Sequence, residues 1–583
     1  MKSNLVVKSY PYNKDGLDEI KVSPNGINWP HVYLIHDDEK LYVGETQSIF
    51  NRTKQHIDKK DVEVKKNSSV IDIICDDSFN KSAVLDIEQQ LIQLFSAENK
   101  YKMLNKNPGQ SCLHNYYQKD YYHYELIENI WDKLIKQKLA TKPVYLLKNL
   151  DIFKYSPFVS LTQEQFDVCG NIMLHMIHTL PNKTGTYIVE GSAGTGKTVL
   201  SIFLLSVLKD LIKGTSNSAN SEDYDDMMNT FNSIKSNLAK LLKDNNIKRI
   251  GFVVPMTSLR NTLKSVFKST GLSFVKVIGP DDAVTNEYDI LFVDEAHRLY
   301  HRKNLTSYPS FDKKCAILDL DKDTANQLQW IMLRSKYTVL FYDEAQSVKK
   351  SDITKEEFLN GLKMHNEVAK SQLTSQLRVI AGGDYLDYID AIMSVEQDKK
   401  LSFSKYDAYI FDDIKNMIDI IKEKDDEYGL SRLMAGYGWK WKTKKKSYQY
   451  IVDHNLYDID INGTHLVWNT TASRWINSDN AINEVGCIHT TQGFDLNYAG
   501  IIFGPEIDYD PNTKTIVVSR DKFYDTKVKS GATDDELYQF ILNAYKVMLK
   551  RGIKGTYIYA VNSNLKKYLE QFFDKYEDIK LLN

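Results

Sequence analysis

At 583 residues the chain is too long for one hydrophobic core, and a prior of roughly 150 residues per domain implies three or four units. Its 42% hydrophobic and 26% charged content are those of a globular protein in water. A formal net charge of −2 excludes a global basic field, so any polyanion-binding surface must be local. Cys75, Cys112, Cys169, Cys315 and Cys487 are scattered, without the paired spacing of a zinc site or a disulfide framework. The N-terminus is interrupted too early for a signal peptide, and no apolar run approaches the length of a membrane span. A soluble, cytoplasmic chain with reduced thiols and no membrane partner is expected.

Residues 31–35 are β-prone, 37–40 form a polar turn, and 41–44 resume the strand pattern, so a hairpin is predicted. Residues 47–57 have helical spacing that puts Arg52 and His56 on one face. A second helix over 83–95 carries Glu88, and Asn105 follows in a turn-rich segment. The ordered set Val32-Tyr33, Tyr42-Val43-Gly44, Arg52, His56, Glu88 and Asn105 resembles the GIY-YIG nuclease family over most of that family's module. The family's opening glycine is His31 here, at a backbone position. The resemblance implies phosphodiester hydrolysis by these residues. Glu88 suits one divalent ion, Mg²⁺ or another, and Arg52 can grip phosphate oxygens in bidentate fashion. Tyr33, Tyr42 and His56 would position or deprotonate the attacking water, with the base left open.

Residues 116–155 read as a helical connector expected to pack on the next module, with Pro143 and Pro157 punctuating the segment around its end. In Leu161-Thr162-Gln163-Glu164-Gln165, Gln165 is either an adenine reader or part of a helix cap with Thr162. A β-prone run at 187–189 then meets Gly191-Ser192-Ala193-Gly194-Thr195-Gly196-Lys197-Thr198 and a helix over 199–212. This is a P-loop in its strand–loop–helix context, and it implies ATP as cofactor. Lys197 would reach the β/γ-phosphates and Thr198 the Mg²⁺. Residues 213–228 are Ser/Asn/Asp-rich and are expected to form a mobile surface loop.

Apolar runs without alternation at 249–254, 288–293 and 337–342 are expected as strands buried on both faces of a parallel sheet. The second ends in Asp294-Glu295-Ala296-His297 and the third in Asp343-Glu344-Ala345-Gln346. Asp294 is assigned to Mg²⁺, and Glu295 to aligning or deprotonating the attacking water. Gln346 belongs either to an element that senses the γ-phosphate or to a helix start capped by Asp343 and Glu344.

Further on come Gln376-Leu377-Arg378, His489-Thr490-Thr491-Gln492-Gly493-Phe494-Asp495 and Leu549-Lys550-Arg551-Gly552. With the P-loop these resemble, in order, the motifs of superfamily 1 helicases, and most nearly their Schlafen-type branch, over about residues 156–565. The resemblance implies that Arg378 and Arg551 act as fingers on the γ-phosphate when two lobes close. Gln492 and Asp495 would link that site to a bound strand. Gly436-Tyr437-Gly438-Trp439-Lys440-Trp441 with the lysines to 446 interleaves aromatics with charge, counting Arg432. It reads as a base-stacking surface or as an exposed basic hairpin. Trp468 and Trp475 are assigned to the same region, with Thr257 and His489 as further nucleic-acid contacts.

The fold expected is α/β: a small GIY-YIG α/β domain over 1–115, the connector over 116–155, and two RecA-like parallel-sheet lobes over 156–350 and 351–583. The function expected is an ATP-dependent helicase or translocase fused to an endonuclease and directed at foreign DNA. DNA is favoured over RNA because such fusions suggest restriction or antiviral defence, and a homo-oligomer or a defence-system partner is left open. The competing readings are an ATP-gated RNA nuclease and a nucleotide-dependent scaffold whose nuclease fold only binds.

Overall fold

The structure is a computed structural model that describes residues 4–22, 28–65, 68–105, 116–157, 161–192, 194–214, 226–305, 307–343, 346, 351–377, 379–471, 475–491 and 494–580. Among these residues the strands form sheets of five, six and eight members and a two-stranded ribbon. No helix among them is long and apolar enough to cross a membrane. Two compact units are present, Met1–Asn171 with Thr198–Ile234 and Leu263–Phe274, and Ile172–Lys197 with Lys235–Thr262 and Val275–Asn583. Residues 215–225, within the expected surface loop, and Cys112 lie outside the described residues.

In the first unit the hairpin forms between His31–His36 and Lys40–Thr46, in the register that sets Tyr33 opposite Gly44. Asp37 tightens the turn by accepting from the backbone N–H groups of Glu39 and Lys40 at 2.8 and 2.7 Å. The Tyr33 ring lies over Gly44, where a Cβ would come within 2.4 Å of it, so the close approach requires glycine. The spatial order is Val6–Pro11, Val70–Cys75, His31–His36, Lys40–Thr46, Lys102–Met103, antiparallel except for the last pair. Alternation along the strands divides the core. Tyr33, Ile35, Ile71 and Ile73 pack with Ile49 of the helix Ile49–Lys59, while Val32, Leu34 and Ile74 pack with the helix Lys81–Glu98.

The connector departs from expectation. Ile127, Ile130, Trp131 and Leu134 recur at the spacing of one helix face on Ile127–Lys136. That face is buried in the core of the first module, where the Phe95 and Trp131 rings lie 4.8 Å apart. The segment therefore completes the domain before it, and its apolar stripe is used up there.

In the second unit the six-stranded sheet runs Glu367–Leu373, Gly185–Gly191, Ser335–Tyr342, Tyr288–Val293, Ile250–Val253, Lys276–Ile278, parallel throughout. Its central strands are buried at nearly every position, as runs without alternation require. The edge strand Glu367–Leu373 pairs with Gly185–Gly191, which carries the first lobe past the expected boundary at residue 350 to residue 373. The eight-stranded sheet follows the order Ile459–Ile461, Thr464–Trp468, Glu484–Gly486, Ser431–Ala435, Leu496–Phe503, Gly552–Ala560, Asp407–Ile410, Asp574–Lys575. Its strands are parallel except for the first pair, a hairpin turned by Asn462 and Gly463 at φ of 51° and 81°.

Arg298, just past the strand Tyr288–Val293, pairs with Asp352 at 3.0 Å, and both side chains are buried. The backbone N–H of Ile353 donates to Leu299 at 2.8 Å beside them. Asp352→Ala leaves the guanidinium buried without this carboxylate and should cost about 3–5 kcal/mol in urea unfolding followed by tryptophan fluorescence. A loss below 1 kcal/mol would show that the pair does not hold this segment.

Candidate functional site

The hairpin and the helix after it bring the aromatic and basic residues of the first module together. The hydroxyl of Tyr33, a fully buried side chain, shares a 2.9 Å hydrogen bond with Nε2 of His56. Arg52 donates from Nε to the same hydroxyl at 3.3 Å. The Tyr42 ring lies 6.2 Å from Tyr33 and 5.5 Å from His56. His56 makes a second bond, from Nδ1 to Asp61 at 2.7 Å. Burial pushes the Tyr33 and Tyr42 phenols up and the His56 imidazole down, so each favours its neutral form. Burial works against the Arg52 charge too, but the neighbouring Tyr33 and Tyr42 hydroxyls more than restore it. One fixed guanidinium among neutral donors and acceptors is a seat for a phosphate.

Glu88 is 9% exposed on the helix Lys81–Glu98. Burial and then the charge of Glu45 push its carboxyl up to about 8, against the opposing effect of Lys81 and Arg52. Glu45 itself is paired with Lys81 at 2.7 Å. A buried carboxyl short of positive charge fits a divalent cation that keeps most of its water, as Mg²⁺ does. Among the described residues no cluster of three His, Cys, Asp or Glu forms a fuller cage. Asn105 takes a different part from that expected. Its Oδ1 accepts from the Val43 N–H at 3.0 Å and its Nδ2 donates to the Val43 carbonyl at 2.8 Å, clamping the strand that carries Tyr42 and Gly44.

At the P-loop, Gly194 and Gly196 take φ of 86° and 78°. A Cβ at Gly191 would come within 2.7 Å of Thr195 Oγ1. The loop closes only with glycine there, and it leaves a backbone cradle that fits a phosphate chain. Lys197 donates from Nζ to the carbonyls of Gly191 and Ser192 at 2.5 and 2.9 Å and lies 3.8 Å from the Asp343 carboxylate. Thr198 follows it in the helix Lys197–Lys213, and Ala193 lies outside the described residues. Gln346 donates to Asp343 at 2.5 Å.

Asp294 is buried at the end of its strand and accepts from the Glu295 N–H at 3.1 Å. Glu295 adopts φ of 50°, and its carboxylate meets Nε2 of His297 at 2.8 Å. Burial would raise Glu295, but His297, then Lys197 and Arg298, hold it well below the usual carboxylate range. It can align a water as a permanent anion and is a weak base. The Leu377 N–H donates to the Gly194 carbonyl at 2.9 Å, while Arg378 and Gln492 lie outside the described residues. Arg551 is 2% exposed, inside the second lobe, with Nη1 donating to the Phe494 carbonyl at 3.4 Å. Gln165 and Thr162 exchange side-chain-to-backbone bonds at 3.0 and 3.2 Å, so the capping alternative is the one formed.

The stretch after Ser431–Ala435 is irregular and not a hairpin, anchored by Asp458, which accepts from the N–H groups of Lys442 and Thr443 at 2.7 and 3.0 Å. Half-buried Trp439 and Trp441 and exposed Lys440 line a cavity of about 900 Å³. Asp281 and Tyr300 of the first lobe and His489, Tyr524 and Lys527 of the second complete much of its wall. His489 is paired there with Asp525 at 3.1 Å. Arg432 is no part of this surface: it is buried on its strand and bound to Asp425 at 2.7 Å. Trp468 and Trp475 are likewise core residues, the second donating to Glu484 at 2.6 Å. Thr257 is exposed at the start of the helix Thr257–Ser269, accepts from Arg260 at 3.1 Å, and is not in the cavity wall. Tyr300, Tyr524, Lys527, His297 and Asp61 escaped the sequence reading. An ordinary tyrosine, lysine or aspartate carries no periodic signal, and only His297, inside Asp-Glu-Ala-His, stood within a motif.

The family model described as the Schlafen group 3 DNA/RNA helicase domain matches residues 184–562, and that of the GIY-YIG catalytic domain matches residues 30–102. An uncharacterized protein of Saccharomyces cerevisiae, YPL245W, is 28% identical over 417 residues, covering 66% of this chain and 83% of that protein. Among solved structures, Mss116p bound to ssRNA and AMP-PNP is 13% identical, with a TM-score of 0.32 over 77% of this chain and 80% of that one. The Bacteroides Pif1 helicase in complex with ADP-AlF3 and ssDNA is 11% identical, with a TM-score of 0.24 over 73% and 97%. These two likenesses are too slight to bear on function.

Glu88 yields a prediction with a definite sign. Its folded carboxyl titrates at about 8, against an ordinary value of 4.5, so the stability contributed by the protonated form is complete below the lower value. It is lost as pH rises to the higher one, by about 5 kcal/mol in all. Glu88→Gln has no such loss. Its melting temperature in chelator should therefore gain on wild type progressively between about pH 5 and about pH 8.5. A difference independent of pH would contradict a raised carboxyl at this position.

Proposed function

The chain belongs to the Schlafen group 3 DNA/RNA helicase family and carries a GIY-YIG catalytic domain ahead of it, and on that premise we propose an ATP-driven translocase or helicase coupled to a metal-dependent endonuclease. Its target is foreign DNA in the cytoplasm, since a motor that feeds strand to a nuclease suits restriction. The reading rests most on the meeting of Lys197 with Asp343 and with the field of Glu295, together with a second, separate cluster of Tyr33, His56 and Arg52. We divide the chain into a nuclease domain over 1–115 closed by the connector, a first lobe reaching 373, and a second lobe beyond.

In the nuclease, Arg52 grips the scissile phosphate, and Tyr33, Tyr42 and His56 orient the water and take its proton. A divalent cation held by Glu88 would take up charge on the leaving side. In the motor, Lys197 would hold the β/γ-phosphates, Thr198 and Asp294 would hold a Mg²⁺ that takes up phosphate charge, and Glu295 would align the attacking water. Arg378 and Arg551 act as fingers once the lobes close, a step for which Arg551 must leave its seat against Phe494. Trp439, Trp441 and Tyr524 offer rings to successive bases, and Lys440, Lys444 and Lys527 neutralise phosphates.

Lys197→Ala and Glu295→Gln should each abolish ATP turnover while the chain still folds by circular dichroism, and wild-type turnover in either would defeat the nucleotide site. Arg52→Ala and Glu88→Ala should stop strand cleavage and spare ATPase. Matched DNA and RNA substrates, each with and without ATP, decide the polymer: cutting confined to RNA would replace the DNA reading with the RNA one. Trp439→Ala with Trp441→Ala should weaken single-strand binding by about 30-fold or more, at roughly 1–3 kcal/mol for each of two stacked bases. Unchanged affinity in fluorescence anisotropy would remove the cavity from the strand path.

A further inference from the structure

We propose that Asp61 is the positioning residue of the nuclease site, holding His56 with its proton on Nδ1 so that Nε2 faces the Tyr33 hydroxyl as an acceptor. The inference rests on the nuclease reading and adds a residue outside the ordered motif.

The geometry comes from the end of one helix. Ile49–Lys59 terminates at Lys60, whose φ of 51° is left-handed and whose N–H returns to the His56 carbonyl at 2.9 Å. That reversal carries Asp61, five residues past His56, back onto the imidazole, where Oδ1 stands 2.7 Å from Nδ1. A carboxylate only accepts, so Nδ1 must carry hydrogen, and the Nε2 lone pair is then directed at the Tyr33 hydroxyl 2.9 Å away. The His56 residue is 2% exposed, which denies water the chance to set the tautomer, whereas the Asp61 side chain is 45% exposed.

The proton step balances without a further reactant. As the attacking water gives its proton to the Tyr33 oxygen, the Tyr33 O–H bond breaks and that proton joins Nε2, and the resulting imidazolium is neutralised by Asp61 on its other side. Tyr33 stays neutral through the relay, with Arg52 donating to its oxygen from 3.3 Å. His56 faces Tyr33, Tyr42, Arg52, Lys59 and Asp61, and Tyr12 adjoins Asp61 and Tyr42. Burial lowers the imidazole first, Arg52 and Lys59 lower it further, and Asp61 opposes them.

The test uses the full chain, a DNA or RNA strand that it cuts, and single-turnover kinetics across pH, beside ¹⁵N-histidine NMR with His56→Ala to assign the ring. Asp61→Asn should slow cleavage about 10- to 100-fold with KM unchanged. It should move the acidic limb of the pH profile to lower pH and shift His56 away from the Nδ1–H tautomer, and Asp61→Glu should restore most of the rate. Cleavage within about twofold of wild type, with the same acidic limb and the same tautomer, would overturn the assignment. A wild-type chain that cuts nothing, yet whose Nδ1–H tautomer is lost in Asp61→Asn, would defeat the nuclease reading and still support the positioning.

Discussion

The ammonium of Lys197 is held by the carbonyls of Gly191 and Ser192 with the Asp343 carboxylate 3.8 Å away, and its charge, after that of His297, favours the ionised form of Glu295. Charges of one sign cannot gather in a buried place without the other, and this lysine supplies part of that balance. A parallel sheet makes the meeting unavoidable. Gly185–Gly191, Ser335–Tyr342 and Tyr288–Val293 are neighbours with matched registers, so their carboxyl ends emerge side by side. Whatever the chain presents after those strands is presented at one place.

The nuclease site obeys the same electrostatics with the balance reversed. Burial drives Tyr33, Tyr42, His56 and Glu88 toward their neutral forms, and Arg52 keeps its charge among them. Its precision depends on backbone details: a hairpin register that rests Tyr33 on Gly44, and the Asn105 side chain, which clamps the backbone of Val43. In the helicase domain a comparable thread runs from Glu295 through Arg298, bound to Asp352, to Tyr300 in the wall of the large cavity. Whether it carries coupling is a matter for measurement.

Much of this was legible before any coordinates. Strands buried on both faces announce themselves as runs without alternation, and the P-loop, the acidic strand ends and the Tyr, Tyr, Arg, His, Glu order survive as linear patterns. The failures were also physical. Glu367–Leu373 alternates half-buried and exposed positions, with Glu, Lys, Ser and Gln among its residues, so it did not read as a buried strand of the first sheet. The stripe on Ile127–Lys136 declared that something would cover it and not what. Trp439, Trp468 and Trp475 are the same residue type in one region, and only the paths of their backbones sent one to a cavity and two to the core.

By itself the sequence determined the classes of chemistry available: a phosphate-binding loop, acids at strand ends, and a nuclease set in its family order. Tertiary structure alone decided which groups share a site and in what protonation state. Asp61 reaches His56 because Lys60 turns left-handed, and Glu88 holds its proton because a helix face is buried beside Glu45. Linear order records neither, since the energy of a charge depends on its distance from other charges and from water, and both are set only when the chain has folded.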